Sequence, residues 1–298
     1  MKKCLVTGGA GFIGSNLVDH LLDNGYYVKV VDAECANSHD YYFWNPLTEN
    51  HKFDVSPYNI DRLTDLCQDV DYVFHLASDV SIPYCIENPA ESYLNNVSST
   101  VTVLDAARNS NVKKVIFSST AAIYGLTEKI CLETDKPDPL NSYAVSKLSG
   151  ETLMKMYSDL YGVNTVTLRY FNVYGPRQPE SGQYAPVMGI FLKQRDQDKS
   201  LTVVGDGQQT RDFIHVSDIA SANLTVAEND VENYGEIYNV GTGRQLSIKK
   251  IAEMVSDDIV HIPPRPAEAR RSFADVSKIK DVYGWEAKVK LEDWIADQ

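Results

Sequence analysis

The sequence predicts an α/β fold, a doubly wound parallel sheet followed by a smaller C-terminal α/β lobe. Three observations predict it. Short apolar runs alternate with stretches of helical period up to about residue 170. A glycine-rich turn, Thr7 to Gly14, joins the first apolar run to the first helical stretch. Beyond about residue 172 the rhythm loosens, and proline and glycine become frequent.

Taken in order, Leu5-Val6 opens a buried strand, and residues 12–23 carry apolar positions at helical spacing. Tyr27 to Val31 is a second strand ending at Asp32, and residues 33–50 show no period and read as a loop. His51 to Val55 is a short third strand, followed by a helix over 57–66. Tyr72 to Leu76 is a fourth strand, helical character returns over 90–110, and Lys114 to Ser118 is a fifth strand. A long helix over 142–161 precedes a sixth strand, Thr165 to Leu168. Apolar strands alternating with helices argue for a parallel sheet covered on both faces. Shorter elements follow near 187–197, 217–229 and 247–256. The expected division is 1–172 for nucleotide binding and 173–298 for a substrate lobe, with some of the latter returning to the first unit. A cleft should lie between them.

A net charge of −13 argues against nucleic acid or an anionic membrane as the main partner. Five cysteines, with no CxxC, argue against a disulfide framework and for a reducing compartment. No HxxxH or HExxH occurs, so no metal site is expected. The N-terminal apolar run is too short for a signal peptide, and no stretch approaches a membrane span. The expected location is the cytoplasm.

Gly8, Gly11 and Gly14 form GxxGxxG, with Phe12 and Ile13 opening the helix. The first glycine permits a tight turn, the second lets backbone approach a pyrophosphate, and the third allows close helix–strand packing. The helix N-terminus supplies donors for phosphates. Asp32, eighteen residues after Gly14, would accept hydrogen bonds from an adenosine ribose and repel a 2′-phosphate, which favours NAD over NADP. Asp54 is an expected adenine contact, and Leu76-Ala77-Ser78 stands at a strand end, where ligands meet parallel sheets. Tyr143 and Lys147 lie four apart on the long helix and project from one face. An ammonium near a phenol favours the phenolate, a proton-abstracting base near neutral pH.

Several segments together resemble the extended short-chain dehydrogenase/reductase family, especially its nucleotide-sugar epimerases. They are TGGAGFIG (7–14), HLA (75–77), FSSTAAIYG (117–125), SYAVSK (142–147), LRYFNVYGPRQ (168–178), GDGQQTRDFIHVSDIA (205–220), NVGTG (239–243) and RRSFADVSK (270–278). The resemblance implies a Rossmann-type domain holding NAD and a lobe gripping a UDP-sugar. It also implies a homodimer built from the long helices near 95–110 and 143–161. It makes Tyr143 the base at the sugar 4-hydroxyl, Lys147 its partner at the nicotinamide ribose, and Thr120 the hydroxyl on the reacting oxygen. It adds Val55, Asn96, Ser118 and Tyr170 to the cofactor side, and Val80 and Ser119 to the substrate side. Arg211 and Arg265 are its phosphate ligands, Glu268 its ribose contact, Asn172 a sugar or phosphate contact, and Val204 part of the base pocket. Phe191 and Phe213 are expected in the core.

Two positions refine the activity. Ala121 and Ala122 stand where related dehydratases carry acidic residues, and methyl groups perform no acid–base chemistry. Epimerisation is therefore expected rather than elimination. Ser272 falls where strict hexose epimerases of the family often carry tyrosine. The small residue points to UDP-N-acetylglucosamine/N-acetylgalactosamine, alongside UDP-glucose/galactose. The alternatives are a UDP-glucuronic acid 4-epimerase, another nucleotide-sugar oxidoreductase, or a non-catalytic NAD-binding sensor. Two departures from the family stand out: a short segment between Ile251 and Pro263, and Ser99 in place of glycine.

Overall fold

The computed structural model describes residues 1–35, 41–180, 185–231, 234–264 and 270–298. Its first half runs β1 (Lys3–Thr7), α1 (Phe12–Asp23), β2 (Tyr27–Asp32), β3 (Glu49–Lys52), α2 (Ile60–Cys67) and β4 (Tyr72–His75). Then come α3 (Ile82–Glu87), α4 (Pro89–Arg108), β5 (Lys114–Thr120), α5 (Ser142–Tyr161) and β6 (Thr165–Tyr170). The second half holds β7 (Asn172–Tyr174), α6 (Val187–Asp196), β8 (Leu201–Val204), β9 (Thr210–Arg211), β10 (Phe213–His215) and α7 (Val216–Glu228). It ends with β11 (Glu236–Val240), β12 (Leu246–Ser247), α8 (Ile248–Val255), β13 (Ile259–Ile262), α9 (Ser277–Tyr283) and α10 (Leu291–Ala296).

The main sheet has seven strands in the order β11-β6-β5-β4-β1-β2-β3, every neighbouring pair parallel. Strand order reverses between β1 and β4, which opens a crevice at their C-terminal ends, where doubly wound sheets bind ligands. Fully buried strands such as β4 and β6 carry continuous apolar or tucked-in side chains. One core lies under α1 and α7, another under α2, α4 and α5. A third, built from Tyr174, Met188, Phe191, Leu201, Phe213, Ile251 and Leu291 among others, belongs to the second half alone. Strand pairs β7–β10, β8–β13 and β9–β12 surround it. The chain does not stay on that side: α7 packs on α1, β11 joins the main sheet beside β6, and α9 lies against β11.

The third strand differs from expectation. It spans Glu49–Lys52, not His51–Val55. The ladder ends there because Phe53 donates to the Asp32 carbonyl and the chain then turns, Ser56 N bonding Asp54 O at 3.0 Å. An edge strand needs no apolar alternation, so Glu-Asn-His-Lys gave no strand signal. Helix α3 was also not foreseen. Pro83 and Pro89 interrupt the period, but Ser81 caps it, its hydroxyl accepting from Tyr84 N at 3.1 Å. Among the described residues no helix is long and apolar enough to cross a membrane.

Candidate active site

A cavity of about 730 Å³ occupies the crevice, within the range of small-molecule sites. Its floor is the β1–α1 turn. Gly8 sits at φ +70°, and a Cβ there would stand 2.7 Å from Ala77 N. A Cβ on Gly14 would lie 2.0 Å from the Gly8 carbonyl oxygen. These glycines let the turn, α1 and the end of β4 close on one another. α1 begins at Gly11 without a side-chain cap, so its first amides face the cavity unpaired. The uncapped N-terminus and the bare backbone fit a dinucleotide pyrophosphate.

Asp32, at the end of β2, borders this floor. Its Oδ2 accepts from Ala10 N at 3.0 Å and its Oδ1 from Glu34 N at 2.8 Å. Both bonds hold the carboxylate still while leaving acceptor capacity for ribose hydroxyls. Asp54 and Val55 line the far end, and Leu76, Ala77, Ser78 and Val80 the side formed after β4. Below them His75 is buried, bonded to Thr7 Oγ1 at 2.8 Å, its pKa depressed to about 3 by burial and then by the Lys147 charge.

The opposite wall comes from the end of β5 and the start of α5. Asn141 caps α5, its side chain accepting from Ala144 N. One turn of helix then places Tyr143 and Lys147 on the cavity beside Ser118, Ser119 and Thr120. Lys147 Nζ donates to the Ser118 carbonyl at 2.9 Å and lies over the Phe117 ring. Burial raises the Tyr143 phenol to about 12, and the neighbouring Thr120 side chain pulls it back only in part. Burial also lowers Lys147 to about 7, against Cys85 and Glu151, which pull it up. The protein's own side chains therefore do not by themselves give the expected phenolate at neutral pH. Desolvation disfavours the charged form of both groups.

Of the expected cofactor residues, Gly8, Gly11, Phe12, Ile13, Gly14, Asp32, Asp54, Val55, Leu76, Ala77, Ser78, Ser118, Tyr143, Lys147 and Tyr170 line this cavity. Val80, Ser119 and Thr120 from the substrate set do so as well. Asn96 stands behind the wall. Its amide accepts from Asp79 N and Ser78 Oγ and donates to Asp79 O and Ser146 Oγ, so it shapes the loop after β4. Asn172, Val204, Arg211 and Ser272 are not brought to this wall. Asn172 Nδ2 donates to the Asp212 carbonyl and Arg211 Nη1 to the Thr210 carbonyl, while the Ser272 carbonyl accepts from Asp212 N. Val204 ends β8 in the second half. Arg265 and Glu268 lie outside the described residues.

Sequence reasoning missed Asp79, which borders the cavity with its carboxyl pKa raised by burial and one oxygen held by Asn95 at 2.9 Å. Its place two residues past His-Leu-Ala was the available signal. Tyr58, 97% exposed at the mouth, carried no periodic signal.

Known proteins share this fold. UDP-glucose 4-epimerase from Thermotoga maritima, solved with UDP-glucose, superposes with a TM-score of 0.90 at 35% identity, covering 98% of this chain and 96% of that one. UDP-N-acetylglucosamine 4-epimerase from Methanobrevibacter ruminantium, solved with UDP-N-acetylmuramic acid, gives 0.91 at 35%, covering 99% and 96%. UDP-glucuronic acid 4-epimerase from Bacillus cereus, solved with UDP-glucuronic acid and NAD, gives 0.88 at 32%, covering 99% and 96%. The sequence pattern of one family matches residues 4–241. With its glycine turn, Tyr143–Lys147 pair and seven-strand parallel sheet, the chain belongs to the NAD-dependent epimerase/dehydratase family.

Proposed function

We propose that the protein is an NAD-dependent UDP-sugar 4-epimerase acting on neutral sugars, with UDP-N-acetylglucosamine/N-acetylgalactosamine foremost and UDP-glucose/galactose beside it. The observation that carries this reading is the meeting of Thr120, Tyr143 and Lys147 on one cavity wall, followed by Ala121 and Ala122. NAD, when bound, supplies a reversible hydride acceptor for C4 of the sugar. Tyr143 Oη takes the proton of the 4-hydroxyl and returns it. Thr120 hydrogen-bonds the phenol and holds the reacting oxygen. Lys147, anchored on the Ser118 carbonyl, places an ammonium beside the phenolate form of Tyr143, the form that can take that proton. No carboxylate follows Thr120 to drive elimination.

The charge of the wall supports a neutral sugar. Asp32, Asp54 and Asp79 border the cavity, and among its described lining residues Lys147 is the sole Lys or Arg. Among those lining residues there is no arginine or second lysine to pair with a uronate carboxylate. We assign Arg211, Arg265, Asn172, Glu268 and Val204 to the nucleotide end of the substrate, on the second half of the chain. Residues 1–172 would carry the cofactor and 173–298 the substrate, apart from α7, β11 and α9. α4 and α5 expose Tyr93, Leu94, Val145 and Leu160, which supports a homodimer through these helices. The cysteines are free thiols, consistent with a reducing, cytoplasmic setting.

A panel of UDP-, GDP-, CDP- and dTDP-sugars, with epimers read by NMR, tests the reading. Turnover of UDP-glucuronic acid in preference to neutral UDP-sugars would overturn the neutral assignment. Tyr143→Phe should reduce turnover roughly a thousand-fold while NAD stays bound; parental activity would remove the mechanism and favour a sensor. Ser272→Tyr should abolish the acetylated pair and spare the plain hexoses. If both pairs respond alike, Ser272 has no part in selectivity.

A further inference from the structure

Directly behind the catalytic wall lies a buried ion pair that the reaction itself does not use. Glu151 and Arg169 are each about 2% exposed at the side chain. Arg169 grips both carboxylate oxygens, Nε to Oε1 at 2.9 Å and Nη2 to Oε2 at 2.7 Å. Its Nη1 donates to the Tyr124 hydroxyl at 2.8 Å, and that hydroxyl donates to Asn239 Oδ1 at 2.6 Å. Ser119 Oγ donates to the same Glu151 Oε1 at 2.5 Å.

The placement is what matters. Glu151 follows Tyr143 and Lys147 by eight and four residues on α5, along one helical face. Arg169 on β6 is the register partner of Ser119 on β5. Ser119 sits between Ser118, whose carbonyl takes the Lys147 ammonium, and Thr120, which lines the cavity with Tyr143. A buried ion pair is an expensive way to fill a core, since apolar residues of equal volume are often as stable or better. A bidentate pair, however, fixes distance and angle.

We propose that Glu151 and Arg169 are positioning residues for the epimerase centre: through Ser119 they hold the end of β5 so that the Ser118 carbonyl and the Thr120 hydroxyl meet Lys147 and Tyr143. This rests on the 4-epimerase reading above. It makes Ser119 a tether, its proton committed to Glu151, rather than a donor to the sugar. It also leaves a carboxylate one turn from Lys147. The other titratable groups around that ammonium are Tyr143 on α5, Cys85 on α3 and His75 on β4, with Arg169 behind Glu151. Of these, Cys85 pulls the Lys147 pKa up and Glu151 adds to it, so removing the Glu151 carboxylate takes away part of what favours the ammonium.

The test compares kcat, KM, the pH profile of kcat and the melting temperature for the parent, Ser119→Ala and Glu151→Gln. Parental turnover and its loss in Tyr143→Phe establish the reading beneath, independently of these variants. Ser119→Ala keeps the ion pair, so it should fold. We expect its kcat to fall about ten-fold with KM for the UDP-sugar within about two-fold, the size of one lost charge-assisted hydrogen bond expressed in the chemical step. Glu151→Gln should move the alkaline limb of kcat to lower pH, because the ammonium of Lys147 is lost earlier. Unchanged kcat in Ser119→Ala overturns the proposal, as does a raised KM with kcat intact, which would make Ser119 a substrate contact. A lower melting temperature in Glu151→Gln with both pH limbs unmoved would make the pair merely structural. Should Glu151→Gln fail to fold, the kcat and KM of Ser119→Ala decide alone.

Discussion

The cofactor floor and the second lobe solve the same problem, holding polar backbone in a fixed shape, in opposite ways. The floor is one short stretch. Eight residues from Thr7 to Gly14 make the turn, open α1 and leave the amides bare, and shape comes from missing side chains. The second lobe is knotted from distant pieces by one added side chain. Asp212, fully buried, accepts from Thr242 N at 2.8 Å, Thr242 Oγ1 at 2.6 Å, Gly243 N at 2.9 Å and Ala274 N at 3.1 Å. Burial raises its carboxyl pKa, and those four donors pull it back. A local motif works by sequence proximity, whereas the lobe needs three separated segments to arrive before its anchor is satisfied.

That contrast can be broken at either end. The largest effect should come from Gly14→Ala, whose Cβ has no room beside the Gly8 carbonyl. Overpacking against backbone should cost about 3 kcal/mol. NAD retention, followed by absorbance after gel filtration, should be lost with it. If Gly14→Ala keeps NAD and stability, the turn is looser than described. Asp212→Ala should cost about 2 kcal/mol, since buried amides lose their acceptor. There the signature is reversed: KM for the UDP-sugar rises while NAD stays bound. Loss of NAD in that variant would mean that the two regions are one cooperative unit.

The effect that is smallest per pH unit tests the wall between them. The pKa of Lys147 falls from 10.5 unfolded to about 7 folded. Between those values the unfolded chain binds the extra proton, so the cost of burying this lysine is full below pH 7 and is relieved as pH rises toward 10.5. Its contribution to the slope is at most about 1.4 kcal/mol per pH unit. Urea unfolding of the NAD-free protein across this window should therefore show a shallower rise in stability for Lys147→Met. Parallel curves would mean that Lys147 stays protonated in the folded protein across this window.

Much of this was legible before folding. The turn, Asp32, Tyr143 and Lys147 were readable because each works within one element or one strand–helix junction. The long helix expected over 142–161 has those bounds in the structure, Ser142–Tyr161. Glu49–Lys52 was not readable as a strand, because only its pairing with β2 makes it one. Asp79 was passed over because burial, not spacing, sets its chemistry. Ser119 had the residue type of a sugar ligand, yet its hydroxyl turns toward Glu151, which is distant in sequence.

The sequence by itself determined the strand–helix alternation, the glycine turn that opens α1 and the shared helical face of Tyr143 and Lys147. Those depend on local backbone sterics and helical spacing. Only the tertiary structure decided which side chains share a wall and what charge they carry there. Desolvation and long-range pairing act between residues far apart in the chain. They turn a tyrosine–lysine pair that is activated on paper into one whose charged forms burial disfavours, with a buried carboxylate and guanidinium behind it.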